Sequence, residues 1–159
     1  MGTKAEYELT QEGRERFESE LKNLIEVVRP QNVTAIAEAR AQGDLSENAD
    51  YHAAREEQGK IEARILTLKD ILKNSKVAKK KESFGIGSVV RVIPIIDGIE
   101  KEENTLTFVS TLEVVAGKTV SLESPIGKAF SQAKVEPGVI VDVKLPNGRQ
   151  VKYKIVDIK

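Results

Sequence analysis

A chain of 159 residues, 40% apolar, with 25 basic and 25 acidic side chains and no cysteine, has room for one domain or two small ones. Charge is balanced within each half as well, 15 of each sign over residues 1–81 and 10 of each over 82–159, which excludes a polycationic nucleic-acid binder. The absence of cysteine excludes disulfides and thiolate metal sites. The start, Met1 to Glu6, lacks the apolar core of a signal peptide, and no run reaches membrane-spanning length, so a cytoplasmic protein with no membrane partner is expected.

In chain order, Thr10 followed by Glu12 and Glu15 reads as a helix cap with acids in the first turn, and the first helix is predicted from about Thr10 to Gln42. Phe17, Leu21, Leu24 and Val28 repeat at steps of four, three and four, the spacing of a helix that buries one narrow seam. Pro30 lies inside this run, so a kink or restart is expected at Arg29-Pro30, with Val33, Ile36 and Ala37 continuing an apolar face beyond it. A second helix runs to Asn74–Val77, with Ile61, Ile65, Leu68 and Leu72 at the same steps. Pairing 17 with 72, 21 with 68, 24 with 65 and 28 with 61 gives one fold-back point, between Asp44 and Leu45. The stretch Gly43 to Asn48 is therefore the expected turn of an antiparallel helical hairpin, with Gly43 in a left-handed closing position. Each arm, about thirty residues, spans about 45 Å, too long to pack inside a small domain with its outer face charged.

Lys79-Lys80-Lys81 marks the change from helical to alternating periodicity and reads as a solvated linker. Strands are predicted at 88–95, 105–112, 119–122, 139–145 and 151–156, with turns at Asp97-Gly98 and Asn147-Gly148. Ser124-Pro125 opens a short helix presenting Ile126, Ala129, Phe130 and Ala133 on one face. The fold class is α+β: a coiled-coil hairpin over residues 1–78, a linker over 79–86, and a small antiparallel β domain with one short helix over 87–159.

The turn carries the chemistry. Asp44 and Glu47 are three residues apart and, if both lie in the first turn of the second helix, share a face on which one hard cation fits. The same spacing is also that of a capping box, aspartate at the cap with glutamate at the third helical position. Two carboxylates alone make a poor private magnesium site.

The run Ala35 to Glu56, with Gly43-Asp44-Leu45-Ser46-Glu47-Asn48 and Tyr51-His52-Ala53-Ala54-Arg55 inside it, resembles the hairpin turn of the bacterial Gre transcript-cleavage factors, most of all the GreA type. The layout of hairpin, linker and sheet domain with Ser124-Pro125-Ile126 extends that resemblance over the chain. It implies a transcription elongation factor whose hairpin enters the secondary channel of RNA polymerase and stimulates the polymerase's own magnesium-dependent cleavage of backtracked RNA. It further implies that Asp44 and Glu47 ligate that magnesium jointly with the polymerase, so that the factor itself is no enzyme. Arg40 and Arg55 would hold the 3′ end of the nascent RNA, and Asn48 and Tyr51 would support the turn. His52, the only histidine and close to alanine-rich packing, reads as structural on its own chemistry. An FKBP-like β domain would dock on the channel rim through Ser124, Pro125 and Ile126. Two alternatives stand beside this: a channel occupant that modulates or inhibits polymerase without promoting cleavage, and a prolyl isomerase or chaperone, for which Phe84, Phe108, Phe130 and Tyr153 offer few aromatics.

Overall fold

The computed structural model describes residues 7–79 and 83–159. Of the expected linker, Lys80, Lys81 and Glu82 lie outside the described residues, as does the N-terminal stretch 1–6. The described chain forms two compact units, one containing Glu12–Ser75 and the other made of Tyr7–Gln11 with Lys76–Lys159.

In the first unit, α1 (Gln11–Asn23) and α2 (Arg29–Ala41) form one arm and α3 (Ala49–Asn74) the other. The first arm contains a π turn at Leu24–Val28, where the N–H of Arg29 reaches back to the Leu24 carbonyl. The regular α-helix resumes at Arg29 with Pro30 in its first turn, the restart expected there, and it takes the form of a π turn just ahead of the proline, with Val28 and Arg29 in right-handed helical dihedrals. A proline ring clashes with the carbonyl four residues earlier, here that of Glu26, and a widened turn relieves the clash without ending the helix.

A π turn absorbs one extra residue and rotates the following face by about 100°. Continued regularly, the first seam would pass through residues 31, 35 and 38, yet Gln31, Ala35 and Glu38 are exposed. Asn32 and Ala39 are buried instead, with Ile36 half-buried between them, a shift of one residue. Val33 and Ala37, expected on the apolar face, are exposed for the same reason. In the unbroken α3 the seam continues without a slip through Ile61, Gln58, Ala54 and Tyr51 toward the turn. At its other end Ile71 is buried and Leu72 only half-buried, one residue from the expected position.

The half of the hairpin away from the turn buries Phe17, Ile61, Ile65, Leu68 and Ile71. Two two-pronged ion pairs cross it: Arg29 Nε donates to Glu62 at 2.7 Å, and Arg64 Nε and a terminal nitrogen donate to Glu20 at 2.6 and 2.9 Å. These side chains are 36–43% exposed, so solvent screens the pairs and they add little to stability.

In the second unit, β1 (Tyr7–Leu9) pairs with β2 (Ser75–Val77), two short strands that the sequence reading does not anticipate. The main sheet has β3 (Val89–Ile96) at its centre between β5 (Asn104–Val109) and β8 (Gln150–Ile158), flanked by β6 (Thr119–Ser121) and β7 (Ile140–Lys144). A short β4 (Ile99–Glu100) turns back on β3 through Asp97 and Gly98, both at positive φ. The α+β architecture is the one expected, with one parallel pair: β6 lies parallel to β5, because the chain between them makes a 3-10 turn at Thr111–Glu113 and returns to the starting end. The strand expected to reach Leu112 accordingly stops at Val109.

The core joins Val90, Val92, Leu106, Phe108, Val141, Val143 and Ile155 of the sheet to Phe130 of α4 (Pro125–Gln132). Buried Glu113 accepts the Thr10 N–H at 3.1 Å on both oxygens, the Thr10 hydroxyl, and the Ser110 hydroxyl at 2.7 Å.

Truncation of a seam residue separates the apolar contribution from the ionic one. Ile65→Ala or Leu68→Ala should cost about 2–5 kcal/mol in urea unfolding followed by circular dichroism. Glu62→Ala should leave the urea midpoint nearly unchanged under the same conditions.

Candidate functional site at the hairpin turn

The turn between α2 and α3 spans Gln42 to Asn48. Gly43 has φ +122°, backbone open to glycine and costly to residues with a Cβ, and it swings the chain out of the last turn of α2. Asp44, Leu45, Ser46 and Glu47 are exposed. Asp44 Oδ1 accepts the Ser46 N–H at 2.9 Å and the Ser46 hydroxyl at 2.8 Å, an aspartate turn closed on its own backbone. Those bonds favour the charged form and lower the Asp44 pKa, the backbone bond contributing most. Asp44 Oδ2 and both Glu47 oxygens have no hydrogen bond or ion pair among the described residues.

The cap of α3 is Asn48. Its Oδ1 accepts the Tyr51 N–H at 2.9 Å, its backbone carbonyl accepts the His52 N–H at 3.1 Å, and its Nδ2 donates to the Ala39 carbonyl at 2.7 Å. This corrects the capping box expected of Asp44 and Glu47. Both acids precede the helix, so their side chains do not share its first turn. An asparagine wins the cap because it accepts from α3 and donates to α2 at once, and a carboxylate has no hydrogen to donate.

Of the two flanking arginines, Arg40 is exposed at the end of α2 with no partner among the described residues, and Arg55 donates to Gln58 at 2.6 Å. Tyr51 is half-buried and its ring meets His52 edge to face at 5.7 Å.

In the second unit, Ser124 caps α4 by accepting the Gly127 N–H at 3.0 Å and donates to the Ser121 carbonyl at 2.7 Å. Pro125 is exposed, whereas Ile126 is half-buried against the core. Gly127 is required: a Cβ there would sit 2.2 Å from the Ser121 carbonyl oxygen. Thr111 joins the same loop through Ser121 at 2.9 Å and Glu123 at 3.2 Å, contacts with no signal in the sequence because the partners come from separate turns. The rings of Phe84, Phe108, Phe130 and Tyr153 pack on one another at 4.7–6.0 Å as part of the core. A cavity of about 440 Å³ in this unit is lined by residues such as Thr10, Ser88 and Lys159 and by none of those rings.

Comparison with known proteins is decisive at the level of family. The family described as "Transcription elongation factor, N-terminal" matches residues 7–77, and that described as "Transcription elongation factor, GreA/GreB, C-term" matches residues 79–159. Transcription elongation factor GreA of Acholeplasma laidlawii is 39% identical over 98% of each chain, and that of Thermodesulfovibrio yellowstonii 43% identical over 94% of each. The chain belongs to the GreA/GreB family of transcription elongation factors. Among solved structures, the GreA factor homolog 1 (Gfh1) protein of Thermus thermophilus is 28% identical, with 97% of this chain and 99% of that one covered at a TM-score of 0.44.

No helix among the described residues is long and apolar enough to cross a membrane. No three His, Asp or Glu side chains among them gather into a metal cluster. Asp44 and Glu47 present hard oxygen donors, and two carboxylates are too few to make a magnesium site by themselves.

Carboxyl NMR titration should find Asp44 ionised to lower pH than an ordinary aspartate, and Ser46→Ala should move its midpoint upward because one of the two bonds to the anion is lost. Gly127→Ala should lower the thermal midpoint of the β domain, since backbone and not a flexible side chain fills the space, at a cost of about 1–3 kcal/mol or more.

Proposed function

We propose that this elongation factor stimulates the magnesium-dependent cleavage of backtracked RNA by RNA polymerase, its hairpin entering the secondary channel and its β domain resting on the channel rim. The observation that carries this reading is the pair of exposed carboxylates, Asp44 and Glu47, at the turn of a hairpin whose second arm alone is 26 residues, about 39 Å, long.

In this reading the chain acts as a ligand donor and contributes no nucleophile or proton carrier. Asp44 presents Oδ2 while Ser46 holds Oδ1, which keeps the carboxylate charged and limits its rotation. Glu47 presents an unpaired carboxylate three residues on. A second magnesium ion retained between these oxygens and the polymerase would activate water and neutralise the leaving oxygen, the division of labour of a two-metal site. Arg40, without a partner among the described residues, and Arg55, engaged there with neutral Gln58, supply positive charge for the phosphates of the extruded RNA 3′ end. Exposed Pro125, fixed by the Ser124 cap beside it, is the docking contact, and half-buried Ile126 keeps the loop on the core.

The rival in which the factor occupies the channel without promoting cleavage is disfavoured by the presence of both carboxylates. An isomerase reading is disfavoured because the four aromatic rings fill the core.

Halted elongation complexes should release a 3′ RNA fragment on addition of the factor and magnesium. Asp44→Ala and Glu47→Ala should each lower the cleavage rate by about 100-fold or more, the scale of losing a ligand in a metal-assisted step, with binding to polymerase unchanged. If both variants stimulate as well as the parent chain while bound, the ligand role is wrong.

A further inference from the structure

We propose that Asn32 and Asn48 form a reciprocal clamp that positions the turn, an inference that rests on the cleavage reading for its consequence but not for its structure. Large apolar burial in the hairpin ends at Ile61. Between Pro30 and Lys60 the fully buried residues among those described are Asn32, 8% exposed, and Ala39, 4% exposed. The half of the hairpin that carries the site is therefore not held by a continuous apolar seam.

Two asparagine bridges stand in its place. From α2, Asn32 Nδ2 donates to the Ala54 carbonyl of α3 at 3.0 Å. From the start of α3, Asn48 Nδ2 donates to the Ala39 carbonyl of α2 at 2.7 Å. Each arm thus sends one amide to a main-chain carbonyl of the other, and at both points the acceptor is an alanine, whose small side chain leaves the carbonyl within reach. The Ala39 carbonyl also accepts the Gln42 N–H at 3.2 Å, and Asn48 is held at its own end by Tyr51.

Apolar contacts are non-directional and tolerate a sliding of one helix along the other, whereas a hydrogen bond weakens steeply with angle and distance. A buried asparagine in an otherwise apolar helical seam is a known way to set register at some cost in stability. The clamp does so twice, and its second bridge ties residue 39 to residue 48, so that Asp44 and Glu47 lie in a short segment closed at both ends. The π turn is what makes the first bridge available, because without its slip of one residue position 32 would not face α3. Asn32 and Asn48 are positioning residues: they act on the magnesium ligands through the backbone and touch no substrate.

The test uses the full chain with Asn32→Leu and, separately, Asn48→Ser. Serine still caps α3 but is too short to bridge to Ala39, so it separates capping from clamping. In the free protein, amide hydrogen exchange should speed up about tenfold or more between residues 39 and 54, with the amides of Ile61 to Ile71 unchanged. On halted complexes at saturating factor, the maximal cleavage rate should fall about tenfold or more, since small displacements of aligned groups are costly, while the half-saturating factor concentration stays the same. The clamp is overturned if exchange over 39–54 is unchanged in both variants, or if exchange rises equally at 61–71, which marks a general loss of stability. The positioning role is overturned if exchange rises but the maximal rate holds. Should the parent chain stimulate no cleavage, the cleavage reading fails and the exchange measurement decides the clamp by itself.

Discussion

Pro30 imposes the constraint from which much of the hairpin follows. A proline inside a helix has no N–H to give and a ring that collides with the carbonyl one turn back. This chain accommodates it with a π turn at Leu24–Val28 and so keeps the first arm unbroken. The extra residue that the turn absorbs moves the inner face of α2 by one position, bringing Asn32 and Ala39 inward and leaving Val33 exposed. The two halves of the hairpin are therefore held in different ways. Away from the turn, Phe17, Ile61, Ile65 and Leu68 bury apolar surface; toward the turn, directional hydrogen bonds connect side-chain amides to the opposite backbone.

That division suits what the turn carries. Two like charges three residues apart repel, and neither Asp44 nor Glu47 has a basic partner among the described residues to offset the repulsion. A free polar loop would spread them. Here Gly43, the aspartate turn at Ser46 and the Asn48 cap fix the path of the backbone, and the carboxylates remain exposed and open to an external ligand. The β domain follows the opposite pattern. Its aromatic rings are spent on the core, and the candidate docking loop is held by hydroxyl and backbone bonds around Ser121 and Ser124.

Much of this was legible in the residues. The a/d steps of Phe17 to Val28 and of Ile61 to Leu68 identified both arms, and their common fold-back point found the turn within the observed loop. Proline after serine at 124 marked α4 with its cap, and Asp97-Gly98 marked a hairpin turn with both residues at positive φ. Other features were not legible. The spacing of Asp44 and Glu47 fits a capping box, but spacing does not say where a helix begins: Asn48 takes the cap by accepting the Tyr51 N–H while its amide donates to the Ala39 carbonyl nine residues back. Glu113 resembled any surface acid until Thr10, 103 residues distant, closed on it.

By itself the sequence determined the two helical arms, α4 and the longer strands, because helical and strand periodicities are local properties of the side chains along each run. It also determined the family-like turn with its two acids, since residue identity alone carries that pattern. Only the tertiary structure decided which way each face points. A one-residue slip in a helix leaves composition unchanged yet rotates every later side chain by about 100°. It likewise decided the bonds of Asn32, Asn48 and Glu113, because a polar side chain's role depends on which carbonyl or N–H the fold brings within about 3 Å, and no local pattern encodes that.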